Sequence, residues 1–514
     1  MRRLAVVMIA LALAGCTPSG QQPSPTPSPS ASGQSSPGAG GPATPPESPA
    51  SASPTMSLPP LGERYSLPAT ATPASWGEPL GSLVGKAPSA SNKRSREGWR
   101  VDLMGVYRLD GERALVEIRL NADQARGQHG LGVWTAPGSS QNFHANDPAN
   151  GGYAALFDEF SDVKLTVDGD DNTYLPVRTT TNHCLCTMSN DLYRGLGDLP
   201  VYVVMTIPEG AQAVTLTLDD VGAFTDIPLA PAPPQRTVTP LTGGYQLRLV
   251  DATLASAGTV RVRFAVERAL AQDGVRDRSI HKLEGFSPWK VKIGNYYVFR
   301  NLLSLSDTGV EGGWPGVDQD WNCLSCTELK NVYDVGSAID GEIDLPDPGT
   351  GGLFIAPTAG WMLSAAGITG TRARATTGLV EYQTRFSSPG AVVSGGEVVE
   401  LDTSVLFATN SDKLTAKANQ VLDKAADVLR DQDGRTVAVV GHTDSTGTAS
   451  YNLDLSKRRA RSVRDALASR LGSGWTFTTQ GRGESDPKIK ETGLSGADLK
   501  QARALNRRVE VTVK

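Results

Sequence analysis

The chain has 514 residues, of which 39% are hydrophobic, so it is long enough for several domains that each bury a core. Its net charge of −5 argues against a general nucleic-acid binder, because such proteins hold phosphates with basic surfaces. Its five cysteines are too few for a disulfide scaffold, although their positions carry information.

The N-terminus has the features of an export signal. Two arginines precede a short apolar stretch, which is too short to span a bilayer as a mature helix. The stretch ends in Leu13-Ala14-Gly15-Cys16, which resembles a bacterial lipobox. That resemblance implies a lipoprotein signal peptide over residues 1–15 and a mature protein held by acyl chains, palmitate among them, on Cys16. The alternative is an ordinary secretory signal with a stray cysteine. No later apolar stretch reaches about 18 residues, so we expect no other membrane span.

A Pro/Ser-rich segment follows the lipobox. From residue 17 to about 75 it contains almost no large apolar side chains, so it cannot bury enough surface to offset the entropy lost on ordering. We therefore predict that residues 16–90 are the lipidated cysteine and a disordered linker.

Short strand patterns with Gly, Pro and Asp turns fill the next part of the chain. Ala114 to Leu120 and Val163 to Val167 are typical, and no long helical stripe interrupts them. The pattern then recurs, for example at Thr259 to Val266, after a Pro-rich joint. We predict two all-β sandwich modules, residues 95–235 and 240–370, and a linker over residues 371–396, with a short strand at Val380 to Thr384 as an option. The arrangement resembles tandem immunoglobulin-like (Ig-like) modules of bacterial surface proteins.

Four cysteines lie in these two modules, as Cys184-x-Cys186 and Cys323-x-x-Cys326. Structural disulfides within each module are the first expectation for an exported protein, although a Cys-x-Cys ring would be strained. Pairing across the modules is the next option. A four-thiolate zinc site has enough ligands but irregular spacing. A catalytic redox pair lacks its usual βα context.

The last part of the chain alternates strands and helices. Val405 to Phe407 is predicted as a strand, and an apolar stripe from Leu414 to Leu429 predicts a helix. Thr436 to Gly441 reads as a buried strand, and Leu453 to Leu471 as a second helix. A strand from Trp475 to Gln480, a short helix from Asp498 to Leu505 and a strand from Arg508 to Val513 complete the series.

Several motifs of this last part occur in a fixed order. They are Phe407-Ala408-Thr409-Asn410, Gly441-His442-Thr443-Asp444, Tyr451-Asn452-Leu453-Asp454-Leu455-Ser456, Arg459-Ala460, Gly481-Arg482-Gly483-Glu484 with Pro487, and Asn506-Arg507-Arg508-Val509-Glu510. Together they resemble the OmpA-like peptidoglycan-binding domain, over residues 397–514. The resemblance implies an α+β fold of βαβαβ type that holds the diaminopimelate of the peptidoglycan stem peptide without covalent chemistry.

The residue types suit that ligand. Diaminopimelate ends in an ammonium and a carboxylate on one carbon, which a carboxylate and a planar guanidinium can bind. By resemblance, Asp444 and Arg459 are this pair. Asn452 lies seven residues before Arg459, so both fall on one stripe of a helix.

By resemblance again, Asn452 and Asn410 would add hydrogen bonds, and Thr443 and Arg508 would line the site. Ala408 departs from the family, where an acidic residue is common. Without the resemblance, Asp444 would be a solvated turn acid and Arg459 one member of a basic helix face. His442 has no nucleophile paired with it in a recognisable motif, so we assign it a role in turn packing.

These observations predict a non-enzymatic, lipid-anchored envelope protein without metal or cofactor, which tethers membrane to wall by binding peptidoglycan. The anchor would lie in the outer membrane, on its periplasmic face, or in the outer leaflet of the cell membrane. The alternative is a surface adhesin, whose β-sandwich repeats bind a protein partner or other ligand while the OmpA-like domain only localises them.

Overall fold

The computed structural model describes twenty segments of the chain, all within one compact unit, Leu58–Lys514. These segments are 58–69, 71–85, 99–121, 139–144, 155–180, 183–187, 198–218, 221–241, 244–269, 302–315, 325–327, 334–349, 351–357, 360–368, 371–388, 391–395, 398–430, 432, 434–494 and 496–514. The predicted signal peptide, the predicted lipidation site Cys16 and Cys323 lie outside the described residues.

The described chain is mostly β-structure, with helices confined to its C-terminal part. In chain order the strands are β1 (Arg64–Ser66), β2 (Gly81–Val84), β3 (Arg100–Arg108), β4 (Arg113–Asn121), β5 (Ser139–His144), β6 (Ala155–Phe160), β7 (Val163–Thr166), β8 (Thr173–Arg178), β9 (Asp198–Thr206), β10 (Ala213–Leu218), β11 (Gly222–Pro228), β12 (Val238–Pro240), β13 (Tyr245–Ser256), β14 (Thr259–Arg268), β15 (Leu302–Ser306), β16 (Glu311–Gly313), β17 (Ser337–Pro346), β18 (Leu353–Pro357), β19 (Leu363–Ser364), β20 (Leu379–Glu381), β21 (Gln383–Ser388), β22 (Ala391–Ser394), β23 (Val398–Asp402), β24 (Thr436–His442), β25 (Thr476–Gly483) and β26 (Arg508–Val513). The helices are α1 (Thr403–Leu406), α2 (Ala418–Arg430), α3 (Ala449–Leu471) and α4 (Gly496–Asn506).

More than half of the strands join one 14-stranded sheet. Its main path runs β2-β3-β4-β9-β8-β21-β22-β23-β26-β24-β25, and β7, β10 and β11 form a branch. β24 and β25 pair in parallel, whereas the other neighbours on this path pair antiparallel. Two five-stranded sheets run β1-β17-β14-β13-β12 and β19-β18-β15-β16-β20, and β5 pairs with β6.

The two predicted β-modules share a core. Each has apolar side chains packed among its own strands. A further cluster draws on both, because Leu115, Tyr202 and Val204 pack with Leu303 and Phe354. The modules are therefore joined by buried contacts. Their number, Ig-like character and boundaries at 95–235 and 240–370 stay a prediction.

The linker predicted over residues 16–90 is wrong where the structure describes it. β1 pairs with β17, and β2 pairs with β3. Between them the Trp76 ring meets Trp361 edge-on at 5.6 Å and lies 6.0 Å from the guanidinium of Arg119. The composition did not predict this order. A few large side chains lie among the prolines and pack on a surface formed by other parts of the chain, which supplies the rest of their apolar contacts.

The linker predicted over residues 371–396 is also wrong, apart from its optional strand at Val380 to Thr384, which overlaps β20 and β21. β20 adds to β16, and β21 pairs with both β8 and β22. β22 then pairs with β23, so the sheet of the β-modules continues without a break into the C-terminal part. Phe386 on β21 packs against the core on each side. The Ser- and Gly-rich composition suggested a loop, but cross-strand pairing decides strand formation here.

The C-terminal part is a four-stranded layer, β23-β26-β24-β25, covered by α2 and α3. Val437 and Val439 of β24, Val463 and Leu467 of α3, and Leu422 of α2 belong to its core. All but one of the predicted helices and strands of this part appear, with ends shifted by a few residues. The exception is Val405 to Phe407, which was predicted as a strand but lies in α1 and its C-cap. Asp402 caps the N-terminus of this helix by accepting from Ser404 N at 2.7 Å.

Cys184 and Cys186 are joined by a disulfide bond, and their Cα atoms are 5.4 Å apart. This pair therefore closes within its own module. Cys326 is also disulfide-bonded. Among the residues that the structure describes, no three His, Cys, Asp or Glu side chains come together as a metal site would require. Nor does any described helix combine the length and apolar character needed to cross a bilayer.

Candidate ligand-binding site

The site lies where β24 ends and α3 begins. α3 packs directly on the strands beneath it, because a Cβ on Gly441 would meet Ser456 O at 2.3 Å and one on Gly481 would meet Lys457 N at 2.4 Å. Thr448 caps the helix by accepting from Tyr451 N. This packing fixes the turn 443–448 against the first turns of α3.

Asp444 lies in this turn and is buried. Its Oδ2 accepts from Arg507 Nη1 at 2.6 Å, and its Oδ1 accepts from Thr446 N at 3.0 Å. A carboxylate has lone pairs for further donors, so both oxygens retain capacity for a ligand.

Arg459 lies on α3 and is only 5% exposed. Its Nε donates to Ser411 O at 2.9 Å, and its guanidinium lies 5.2 Å from the centre of the Phe407 ring. Burial lowers the pKa of this guanidinium, and Arg507 lowers it further, whereas Tyr451 and Asp444 act in the opposite direction. Within the part of the chain that the structure describes, neither Nη atom of Arg459 has a hydrogen-bond partner. Arg459 is thus a largely buried cation that forms no ion pair with a carboxylate of the described residues.

Asn452 ties the turn to the neighbouring segment. Its Nδ2 donates to Asp444 O at 3.2 Å and to Glu484 Oε2 at 2.5 Å. The amide therefore holds the backbone of the turn and orients Glu484, which follows the end of β25.

Thr443 and Asn410, the two remaining polar residues of the predicted site besides Arg508, border the cluster on different sides. Thr443 N donates to Gly483 O at 2.9 Å, which anchors the turn on the end of β25. Asn410 is exposed and has φ of +57°, a left-handed conformation that asparagine tolerates better than most residues. Asn410 directly precedes Ser411, whose carbonyl oxygen accepts from Arg459 Nε. This hydrogen bond holds the loop of Asn410 against α3.

Arg508 does not join this cluster. Its Nε donates to Glu510 Oε1 at 2.7 Å, and its Nη2 lies 3.5 Å from Asp486 O. His442 belongs to the same buried group, with Nδ1 3.1 Å from Asp486 O. Burial opposes the ionisation of Glu510, but the neighbouring His442 ring and the charge of Arg508 outweigh it and lower the pKa of Glu510 to about 2.

Arg507 takes the place predicted for Arg508. Arg507 lies between α4 and β26, whereas Arg508 is the first residue of β26, and only Arg507 meets Asp444. The motif Asn506-Arg507-Arg508 does not indicate which arginine meets Asp444, because the choice depends on the residue at which α4 ends. Sequence reasoning also missed Glu484, whose role becomes visible only through its contact with Asn452.

The charges of the cluster favour a ligand with an exposed carboxylate. Arg507 pairs with Asp444, whereas Arg459 forms no such pair, although Asp444 and Asp412 both raise its pKa. A ligand that brings one carboxylate to Arg459 would compensate the unpaired charge, and an ammonium on the same ligand would find Asp444 beside it.

Comparison with known proteins covers the C-terminal part of the chain. The family model of the OmpA family matches residues 406–499. Outer membrane porin F of Pseudomonas aeruginosa is 36% identical over 118 residues, which are 23% of this chain and 32% of that protein. Outer membrane protein A of Shimwellia blattae is 38% identical over 122 residues, 22% of this chain and 49% of that protein. Outer membrane protein A of Bordetella avium is 34% identical over 115 residues, 22% of this chain and 56% of that protein. The chain thus spans between a third and just over half of the length of these relatives.

Two solved structures resemble the same region. The cell wall anchor of the T6SS from Pseudomonas aeruginosa is 36% identical and covers 23% of this chain and 79% of that chain, with a TM-score of 0.20. The peptidoglycan-associated lipoprotein from Burkholderia pseudomallei is 25% identical and covers 23% of this chain and 90% of that chain, with a TM-score of 0.18. On the family match and these sequence relatives, residues 406–499 of the chain form an OmpA family domain.

Proposed function

We propose that this protein binds peptidoglycan non-covalently through its C-terminal domain, at the zwitterionic end of diaminopimelate. We further propose that acyl chains on Cys16 hold it at a membrane of the cell envelope, so that it tethers membrane to wall. The resemblance of residues 397–514 to OmpA-like peptidoglycan-binding domains supplies the ligand class, and the charges around Asp444 supply the mode of recognition.

One observation carries the proposal: the buried guanidinium of Arg459 has no partner for its two Nη atoms among the described residues. Removing a charge from water costs several kcal/mol unless an opposite charge compensates it, in order-of-magnitude terms. A ligand carboxylate is the matching group, because it accepts two parallel N–H bonds from a planar guanidinium.

The second half of the headgroup is an ammonium. Asp444 can accept from it while keeping its bonds from Arg507 and Thr446, since an ionised carboxylate offers about four lone-pair positions. Arg507 orients the carboxylate and balances its charge while the site is empty.

Co-sedimentation of the full-length protein with diaminopimelate-type peptidoglycan tests the site. Asp444→Asn weakens one charge-assisted contact of roughly 1.5–3 kcal/mol and Arg459→Ala removes two, so affinity should fall by at least about tenfold and more than about 100-fold, respectively. Asp454→Asn and Arg461→Ala are matched controls, because both side chains lie on the exposed face of α3. Unchanged pelleting of both site variants would refute the assignment.

Membrane fractionation tests the anchor. Cys16→Ala removes the residue that the lipobox assigns to lipidation, so the variant should leave the membrane fraction and still pellet with purified walls. A variant that stays with membranes after removal of the walls would contradict lipid anchoring through Cys16.

A further inference from the structure

Residues 58–69 and 71–85 form a strap that lies on the two β-modules. β1 is the terminal strand of one five-stranded sheet, and β2 is the terminal strand of the 14-stranded sheet. Both attachments are short, because β1 makes three residue pairs with β17 and β2 makes four with β3. Since each strand ends its sheet, the remaining strands keep their own partners when the strap leaves.

The strap contributes little to the cores of the modules. Among its described residues only Gly62 and Gly85 are buried, whereas Leu58 and Leu80 are more than half exposed. Leu83 of β2 packs on the core of the first module, but no described residue of the strap before β2 belongs to the cores of the two modules. Segments with so few buried apolar contacts open locally at a small fraction of the global stability.

The groups beneath β1 have partners of their own. Tyr65 OH donates to Asp340 Oδ1 at 2.6 Å, and Leu67 N donates to Gly336 O at 2.7 Å. Asp340 is almost fully buried, but its other oxygen accepts from Arg263 Nε at 3.0 Å and from Arg263 Nη2 at 2.8 Å. Departure of β1 therefore leaves no buried charge unpaired, which would otherwise oppose release.

The groups beneath the segment between β1 and β2 are paired in the same way. Ala74 N donates to Gln246 Oε1 at 2.7 Å, and Gln246 itself donates to Glu267. The Trp76 ring packs edge-on against Trp361, whose ring also lies 5.0 Å from an arginine guanidinium of the β-modules. The surface beneath this segment thus keeps its internal contacts when the segment is absent.

The position of the strap in the chain determines where tension acts first. Residues 17–57 separate the proposed anchor at Cys16 from Leu58, and the proposed wall site lies in the C-terminal domain. Tension between membrane and wall therefore reaches β1 before any other strand. β2 has one more residue pair than β1 and a core contact through Leu83, so it resists release better.

We infer that residues 58–80 are a reserve of tether length, which leaves the β-modules under tension and rebinds when the tension falls. At about 3.5 Å per extended residue, this segment adds up to about 80 Å between the anchor and the wall site. The inference rests on the proposed function, because the tension requires an anchor at Cys16 and a C-terminal domain bound to the wall.

Force spectroscopy on the full-length protein, held by its two ends, tests the release. The wild type should lengthen by up to about 80 Å in a first step, at a lower force than any later step, and should shorten again on relaxation. A disulfide formed by Ser66→Cys and Ser337→Cys, which face each other across β1 and β17, should reduce this step to less than about 30 Å, because only residues 58–65 can then peel away. The single variant Ser66→Cys is the matched control and should keep the full step.

Hydrogen exchange tests the same opening without force. The amide of Leu67 should exchange at least about 100-fold faster than that of Val262, which lies in β14 with a paired strand on each side. Trp76→Ala removes two ring contacts of the strap and should speed exchange at Leu67 about tenfold further. Glu78→Ala, at an exposed position of the same segment, is the matched control and should leave the rate unchanged.

The two proposals fail on different results. A first step that already includes the unfolding of a β-module, or equal exchange at Leu67 and Val262, overturns the reserve of tether length and leaves wall binding at Asp444 and Arg459 intact. Failure of the wild type to pellet with walls overturns the proposed function, and the tether role of the strap with it.

Discussion

Replacing Arg459 with methionine separates binding from folding. Methionine fills a similar volume without charge. In the wild type, burial is the largest influence on the pKa of this guanidinium and lowers it, so the folded protein disfavours the charge that the site presents. Arg459→Met should therefore abolish binding and leave the fold nearly as stable as before.

The magnitudes follow from the contacts of Arg459. The variant loses the hydrogen bond to Ser411 O, worth roughly 1.5–3 kcal/mol, and the contact with the Phe407 ring, worth about 0.5–2 kcal/mol. The variant no longer buries a charge, so it avoids a desolvation penalty of several kcal/mol, in order-of-magnitude terms. Because this gain offsets the losses, the free energy of unfolding should change by less than about 2 kcal/mol. Ligand binding loses two charge-assisted donors, about 3–6 kcal/mol together, so affinity should fall by more than about 100-fold.

The assay combines thermal unfolding with co-sedimentation on diaminopimelate-type walls. Arg461→Met is the matched control, because Arg461 lies two residues along α3 on its exposed face and should change neither result. A strong drop in Tm for Arg459→Met, with the remaining folded protein still pelleting, would show that Arg459 serves the fold and that the anion site has been misassigned.

Two further predictions concern the surroundings of the site. Because the pKa of Glu510 falls from 4.5 to about 2 on folding, its ionisation stabilises the protein above pH 4.5, and this stability is lost as the pH falls toward 2; Tm measured against pH should fall by more in the wild type than in Glu510→Gln, because Asp102 and Glu491, whose pKa values are also lowered, titrate in both proteins. A fragment that starts at residue 389 keeps the β22–β23 hairpin with buried Ala391 and Val393, so it should be more stable than one that starts at residue 397, by about 2–3 kcal/mol of apolar burial. Equal denaturation midpoints of the two fragments would contradict the continuous sheet.

The C-terminal part of the fold was predictable because its signals are local. The apolar stripes of α2 and α3 and the apolar run of β24 each specify an element without reference to the rest of the chain. The exception is α1, whose four residues are too few to show a period, so a side-chain cap at Asp402 decides its conformation.

The order of residues 58–85 and of β20 to β22 was not predictable, because it depends on distant partners. Arg64 pairs with Ile339, and Phe386 pairs with Tyr174. Neither segment has enough apolar residues to predict burial alone, and the surface that completes each core comes from a separate part of the sequence.

The sequence predicted which side chains of the candidate site lie together, while their role as ligand-binding residues stays a prediction. Ordered motifs named Asp444, Asn452 and Arg459, and the structure brings the three together. The choice between Arg507 and Arg508, and the part taken by Glu484, depend on the exact ends of α4 and β25. Those ends are set by packing and shift by a residue or two without any clear sequence signal.

The most direct test of the central claim compares two kinds of wall. Lysine-type peptidoglycan carries the side-chain ammonium but lacks the side-chain carboxylate that Arg459 is proposed to bind. We predict that the full-length protein pellets with diaminopimelate-type walls at least about tenfold more strongly than with lysine-type walls of matched cross-linking, because lysine-type walls lack the charge-assisted pair with Arg459. Equal pelleting with both walls would contradict it.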